Sequence, residues 1–372
     1  MDRQRNREIR TFIINAVLIA AVLGLAYFGY AFIYRGRTEP PVRSQTTNQN
    51  AAVYSLRGQI QMLTSQEELS AFAFEDRKDE KEYGTYIIPG LNSTRTLLTE
   101  EGTTPAICTS MTPQGLAVTD KYVLISAYCH TEQHNSVIYM LDKETHRFCK
   151  EVILPGKPHV GGLAYDAEHE ILWYSSNETG IAQAISLTME ALEAYDYENG
   201  HRPIAVNQEC SLYGILRDSF MTFYEGSLYV GCFMEYSESV IARYEVDGEG
   251  NLVTRLDDSL GMDFEMAIPL DYSDISEQAQ GMTFYHDKLL LSHSFSILPS
   301  RLVFYEQSNT RLYVNENSAV SYRFPERMEQ IFVEGDDLYV LFESAAYAYR
   351  ASSVNIVDRV LKLSLAKMDN GY

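Results

Sequence analysis

Basic residues are scarce in this sequence: 30 Lys and Arg stand against 51 Asp and Glu, for a formal charge of −21. Six of the Arg fall in residues 1–37, which are net +4, so the remainder is net −25. So acidic a surface repels phosphate backbones and excludes nucleic acid as a partner. Chemistry-bearing motifs are also missing. No Gly-x-Ser-x-Gly elbow presents a serine nucleophile. No Gly-rich loop opens a helix to cradle a phosphate, and no Cys-x-x-Cys pair signals a zinc ribbon or a dithiol redox site. Tryptophan occurs once, as Trp173 in the apolar run ILWYSS, where it reads as core.

Long apolar runs are absent apart from one. Thr11–Tyr34 holds 24 residues without a charge. At ~1.5 Å per residue this gives ~36 Å of helix, enough for a ~30 Å hydrocarbon layer. Arg3, Arg5, Arg7 and Arg10 precede it, and Arg35 and Arg37 follow. The denser basic cluster on the N-terminal side predicts a cytoplasmic N-terminus and an exported C-terminal part. The run is long for a signal peptide and ends without a small-x-small site, so it reads as an uncleaved signal anchor. Four segments follow. Residues 1–10 form a basic stub, 11–34 the single transmembrane helix, 35–82 a tether, and 83–372 the folded domain. The tether contains a short amphipathic helix at about 64–75, opened by the capping pattern Ser65-x-x-Glu68. The charged run Glu75–Glu82 reads as solvated surface.

What the sequence does have is a repeat. A strand, tight turn and second strand recur at Gln114 (QGLAVTDKYVLIS), Gly161 (GGLAYDAEHEILWYS), Ser219 (SFMTFYEGSLYVG), Gln280 (QGMTFYHDKLLLS) and Glu329 (EQIFVEGDDLYVLF), at intervals of 47, 58, 61 and 49 residues. That period, built from short strands, predicts an all-β fold, a β-propeller, with five blades favoured over six. Tyrosine, present 27 times, suits half-buried strands. Proline closes several outer strands, in TYIIPG (85–90), EVILPG (151–156), MAIPL (266–270) and YRFPE (322–326). The first of these copies has no preceding strands, and the last repeat lacks a fourth strand after RVLKLSL (359–365). Strand Thr85–Ile88 is therefore expected to complete the last blade and close the ring. The tail of the second unit contains a helix-like stretch, TMEALEAY.

The five cysteines are Cys108, Cys129, Cys149, Cys210 and Cys232. Each of two repeats has one cysteine before its first strand and one after its second, which antiparallel pairing brings to one end. Disulfides Cys108–Cys129 and Cys210–Cys232 are thus expected, with Cys149 left over.

The start of each first strand and the loop after each second strand should meet at one mouth. Candidate ligand-binding residues there are Gln114, His159, Gln280, His293, Glu329 and Glu343. Imidazole and carboxylate together could hold a divalent cation, and a polar, water-filled mouth is the alternative. The loop His130-Thr131-Glu132-Gln133-His134 reads as a solvated turn. Asn92-Ser93-Thr94 and Asn177-Glu178-Thr179 fit the N-glycosylation pattern.

The blocks QGLAVTDKYVLIS and QGMTFYHDKLLLS resemble propellers of the NHL and gluconolactonase-like kind. The resemblance implies a cation-binding role for a first-strand Glu, a place held here by Glu329. Gln114-Gly115-Leu116 and the block EQIFVEGDDLYVLF also resemble the plant-type glutaminyl cyclotransferases, which are five-bladed. The expected Glu-Gly of their second blade is Gly161-Gly162 here. The reading that follows is a membrane-anchored, extracytoplasmic binding module for a protein, cell-envelope glycan or small ligand. The alternative is an exported enzyme (lactonase-, lyase- or cyclotransferase-like) with Glu329 as acid/base beside His159 or His293.

Overall fold

The computed structural model describes residues 2–35, 56–73, 85–100, 102–307 and 311–369. Most of the expected tether and its charged run lie outside the described residues. Helix α1 runs Asp2–Arg35. Its stretch Ile9–Gly29 is long and apolar enough to cross a membrane, with mean hydropathy 2.2, and no part of it is buried against the protein.

Five four-stranded antiparallel units stand side by side. Blade 1 is Met111–Val118, Tyr122–Cys129, Val137–Asp142 and Phe148–Ile153. Blade 2 is Leu163–Asp166, Ile171–Ser176, Gln183–Thr188 and Gln208–Ser211. Blade 3 is Phe220–Tyr224, Ser227–Gly231, Ser239–Glu245 and Asp271–Ile275, with Leu312–Tyr313 added in parallel at its edge. Blade 4 is Ala279–Tyr285, Lys288–His293, Ser300–Glu306 and Val320–Phe324. Blade 5 is Met328–Glu334, Asp337–Phe342 and Arg359–Ser364, completed by Thr85–Ile87 from the other end of the domain. That last pairing sets Thr85 opposite Leu361 and Ile87 opposite Arg359.

Alternation explains why the blades stack. In blade 1, Val123, Ile125, Val137 and Tyr139 pack toward blade 5 with Tyr339 and Leu341. Their neighbours Leu124, Ile138 and Met140 pack toward blade 2 with Leu172, Tyr174 and Leu187. Successive side chains thus serve opposite faces, each covered by another sheet. Separate apolar clusters fill the other boundaries, between blades 2 and 3, 3 and 4, and 4 and 5. Close approach at the axis requires glycine at Gly162, where a Cβ would lie 2.6 Å from the Met221 nitrogen.

Three expectations are corrected. Met266–Ala267 is not an outer strand of blade 3. It pairs with Thr254–Arg255 in a side hairpin, and Asp271–Ile275 takes the outer place. The cause is an insertion after Glu245, which a local strand-then-proline pattern cannot register. Second, the helix expected at about 64–75 is present as α3 (Glu67–Ala73), but it is not single: a further helix, α2 (Leu56–Thr64), precedes it. Leu63, Leu69 and Phe72 bury themselves against blades 4 and 5 and the short helix α5 (Leu365–Asp369). Gln59 Nε2 donates to the Ile356 carbonyl at 2.8 Å. The stretch TMEALEAY does form a helix, α4 (Met189–Ala194), capped by Thr188.

Third, no disulfide joins Cys108 to Cys129 or Cys210 to Cys232, and all are buried thiols. Cys210 lies on the outer strand of blade 2, opposite Ala184, rather than at the entry of blade 3. The nine residues after it carry the chain from the outer edge of one blade to the axis of the next. Both thiols sit in the cluster between blades 2 and 3, and burial pushes the Cys210 thiol up to about 11. Cys108 and Cys129 do approach each other, together with His134.

Candidate functional site

The mouth is a cavity of about 750 Å³ lined by residues of every blade, a size that suits a small ligand. Gln114, His159, Gln280, Glu329 and Glu343 all line it; His293 is not among the lining residues. Bulges aim three of these side chains. The strand registers shift between Pro113 and Leu116, between Ala279 and Gly281, and between Met328 and Ile331. Each shift brackets one candidate, Gln114, Gln280 or Glu329. An extra residue re-aims a side chain, a common device beside binding sites.

Glu329 and Glu343 are both almost wholly buried, at 4% and 8% exposure. Their environments differ. Glu343 accepts from Arg327 Nη1 at 3.3 Å and from Gln114 Nε2 at 3.0 Å. Among the described residues, no side chain or backbone group hydrogen-bonds the Glu329 carboxyl. Burial raises the affinity of both for a proton, and the Glu343 charge raises Glu329 further. Arg327 and Gln114 draw Glu343 back down. Two buried carboxyls that repel each other share out one proton. The asymmetry of donors ranks the two: Glu329 holds the proton more tightly, and Glu343, raised to about 7, is the first to ionise.

Arg327 is held as firmly as its partner. Its guanidinium lies 4.1 Å above the Tyr349 ring, and Nη2 donates to Ser352 Oγ at 3.3 Å. His159 stacks on Tyr128 with ring centroids 4.2 Å apart, and burial together with the nearby His130 lowers it to about 4, so it is neutral at pH 7. Asp218, also on the lining, is raised to about 6 by burial. His293 lies apart, donating Nδ1–H to the Glu277 carbonyl at 2.8 Å, and is lowered to about 4 by burial. Val160, between His159 and Gly161 on the lining, has φ of 52°. A β-branched residue there is strained, and such strain clusters at functional sites.

The rim is acidic. Glu132, Glu178, Asp218 and Glu235 join the two buried glutamates, against Lys157 and Arg217. Lys157 is already engaged, with Glu132 at 3.3 Å. Among the described residues, no set of three metal-ligating side chains converges at the mouth. Among the described residues, the group of His, Cys, Asp and Glu whose ligand atoms converge is Cys108, Cys129 and His134. None of those three lines the cavity. The turn His130–His134 is solvated at Glu132 and Gln133 but not at its histidines: His134 is 5% exposed, and His130 packs edge-on against Tyr349.

Sequence reasoning did not find Arg327, Tyr128, Tyr349 or Gln330. The available signal was the run Arg327-Met328-Glu329, an arginine two residues from a strand-entry acid. Gln330 is wholly buried on the axis. Its Oε1 accepts from the backbone N–H of Leu116 at 2.9 Å and of Leu163 at 2.8 Å. Its Nε2 donates to the carbonyls of Leu163 and, at 2.8 Å, Met221. One side chain of blade 5 thereby ties blades 1, 2 and 3.

The fold and site define a five-bladed β-propeller with one apolar N-terminal helix. No protein-family model matches the chain, and no curated protein matches it. Solved structures do. A provisionally assigned oxidoreductase (glucose dehydrogenase) from Thermus thermophilus is 14% identical with a TM-score of 0.41, the match covering 75% of this chain and 93% of that one. A chain of a nidogen/laminin complex is 13% identical with a TM-score of 0.37, covering 67% and 84%. A provisionally assigned 6-phosphogluconolactonase from Bacteroides uniformis is 10% identical with a TM-score of 0.35, covering 60% and 62%. No ligand or activity follows from likeness at this level.

Proposed function

We propose that this chain is a membrane-anchored binding protein whose propeller faces outward and whose mouth takes a small polar ligand carrying an amine. An amino sugar of a cell-envelope glycan is one such ligand. The basic residues before the Ile9–Gly29 stretch support the orientation. The observation that carries the ligand class is the carboxyl pair Glu329–Glu343, set in a lining that holds six acids against two bases. Glu343 offers an anion and Glu329 a carboxyl with free hydrogen-bonding capacity. An ammonium group would supply the donor that Glu329 lacks among the described residues and add to those that Glu343 already has in Arg327 and Gln114.

Thermal melting with glucosamine, and with glucose as its neutral counterpart, tests the reading. Glucosamine should raise the melting temperature by on the order of 5 °C at about a hundredfold excess over Kd. Glucose should not, and Glu343→Gln should lose the response. If glucosamine, spermidine and lysine all leave the melting temperature unchanged, or if Glu343→Gln responds as the parent does, the cationic-ligand reading fails.

A second reading, favoured by the unequal protonation of the two glutamates, is acid/base catalysis. Glu329 would donate a proton and Glu343 accept one. This is the form in which the lactonase- or cyclotransferase-like expectation survives, with His159 neutral on the same lining. In that case Glu329→Gln would retain ligand binding and abolish turnover.

A further inference from the structure

We propose that Cys108, Cys129 and His134 form a binding site for one thiophilic metal ion, zinc(II) or copper(I), separate from the mouth. The three donor atoms lie within 4.8 Å of one another. Cys129 Sγ and His134 Nδ1 are 3.3 Å apart. Around a tetrahedral ion with ~2.3 Å bonds to sulfur and ~2.0 Å to nitrogen, donor atoms stand roughly 3.5–3.8 Å apart. The cluster therefore needs only a slight adjustment to close on an ion.

The donor set is selective. Two thiols and an imidazole, with no carboxylate among them, suit soft transition metals and exclude calcium and magnesium. All three residues are buried, at 0%, 1% and 5% exposure. Zinc with two thiolates and a neutral imidazole is an uncharged assembly, which a buried site favours. Copper(I) is the soft alternative. Met111 stands directly opposite Cys129 in the antiparallel ladder and so shares its face, putting a thioether on the same side. Outer groups are also in place. The Ser110 N–H donates to Cys108 Sγ at 3.3 Å, and the Thr131 hydroxyl lies 3.1 Å from Cys129 Sγ. Such contacts orient and stabilise thiolate ligands.

Topology supplies a reason for the site. Cys108 ends the two-stranded hairpin Thr94–Leu97 and Pro105–Cys108 outside the blades. Cys129 ends the second strand of blade 1, and His134 lies in the loop that follows. That loop also carries Glu132 to the mouth. Backbone bonds already join hairpin and loop, from Thr99 N–H to Gln133 O at 3.1 Å and from Asn135 N–H to Leu97 O at 3.0 Å. An ion held by all three residues would brace the loop at the rim.

Metal binding can be read on the full chain in detergent, reduced and free of oxygen. Cobalt(II) serves as the spectroscopic probe. Zinc(II) and copper(I), each titrated against a competing chelator, identify the preferred ion. About one ion per chain should bind, with sulfur-to-cobalt charge-transfer bands and a raised melting temperature. Cys129→Ser should lose the bands, and His134→Asn should weaken binding at least about tenfold. Wild-type protein that keeps its native circular dichroism yet shows no such bands would overturn the proposal. So would unchanged bands in Cys129→Ser. A Cys108–Cys129 disulfide in the isolated protein that, once reduced, still leaves it unable to bind any of the three ions overturns it as well.

Discussion

Glu329 concentrates the chemistry of the mouth because its carboxyl is buried without a donor among the described residues, whereas Glu343 has two. The consequence is a pH dependence of stability with a definite sign. Below the ordinary carboxylate range, both folded and unfolded chains hold the Glu329 proton, and its contribution to stability is fully present. As pH rises, the unfolded chain ionises first, while burial and the neighbouring Glu343 keep the folded carboxyl protonated. Stability is then lost progressively until pH passes the folded value. Glu329→Gln keeps the side-chain volume and removes this titration. The variant should match the parent near pH 4 and exceed it near neutrality by on the order of 1 kcal/mol. Denaturant unfolding across that range is the measurement, and equal stability of the two proteins at pH 7.5 would mean that folding does not raise the proton affinity of Glu329.

At the scale of elements, the closing strand joins the two ends of the propeller domain. Thr85–Ile87 contributes three residues of ladder, but Tyr86 anchors them. Its ring is 2% exposed and stacks on His146 at 4.1 Å, and its hydroxyl donates to the Lys143 carbonyl at 3.0 Å. Tyr86→Ala should cost about 3–5 kcal/mol. Hydrogen exchange should locate the loss first in Arg359–Ser364, the strand left as an open edge. Uniform loss of protection over all five blades would instead mean that closure and global unfolding are one event.

Closure was legible in the sequence because TYIIPG copies the end of a blade without its beginning. The strand pairs were legible too, since their alternation reflects two covered faces. The insertion in blade 3 was not. MAIPL has the composition of an outer strand, and only the pairing of Met266–Ala267 with Thr254–Arg255 removes it from that role. The site was legible in part. Equivalent positions named Gln114, Gln280, Glu329 and Glu343, but the bulges that aim three of them leave no mark on composition. Arg327 and Gln330 flank Glu329 closely, yet their roles depend on which way the bulged strand turns them. His134 reads as a polar loop residue until the outer hairpin is seen to cover it.

For the whole molecule, packing is divided among the boundaries between blades, and each apolar cluster is built mainly from two neighbours. Helices α2 and α3 extend this scheme by covering blades 4 and 5. Gln330 is the exception to pairwise packing, since it satisfies backbone groups of three other blades at once. Replacing it by Ala strands two buried N–H groups and two buried carbonyls. At ~1–3 kcal/mol per unsatisfied group, with some relief from entering water, the expected loss is about 4 kcal/mol. Gln330→Glu discriminates the cause. It keeps oxygens for the Leu116 and Leu163 N–H groups but turns a carboxylate toward the carbonyls of Leu163 and Met221, so it should be comparably unstable at neutral pH. Protonation restores a donor, and stability should recover on acidification. If Gln330→Ala instead unfolds within about 1 kcal/mol of the parent, the boundary clusters alone hold the ring. Such a result would make the axial hydrogen bonds a consequence of closure rather than a contributor to it.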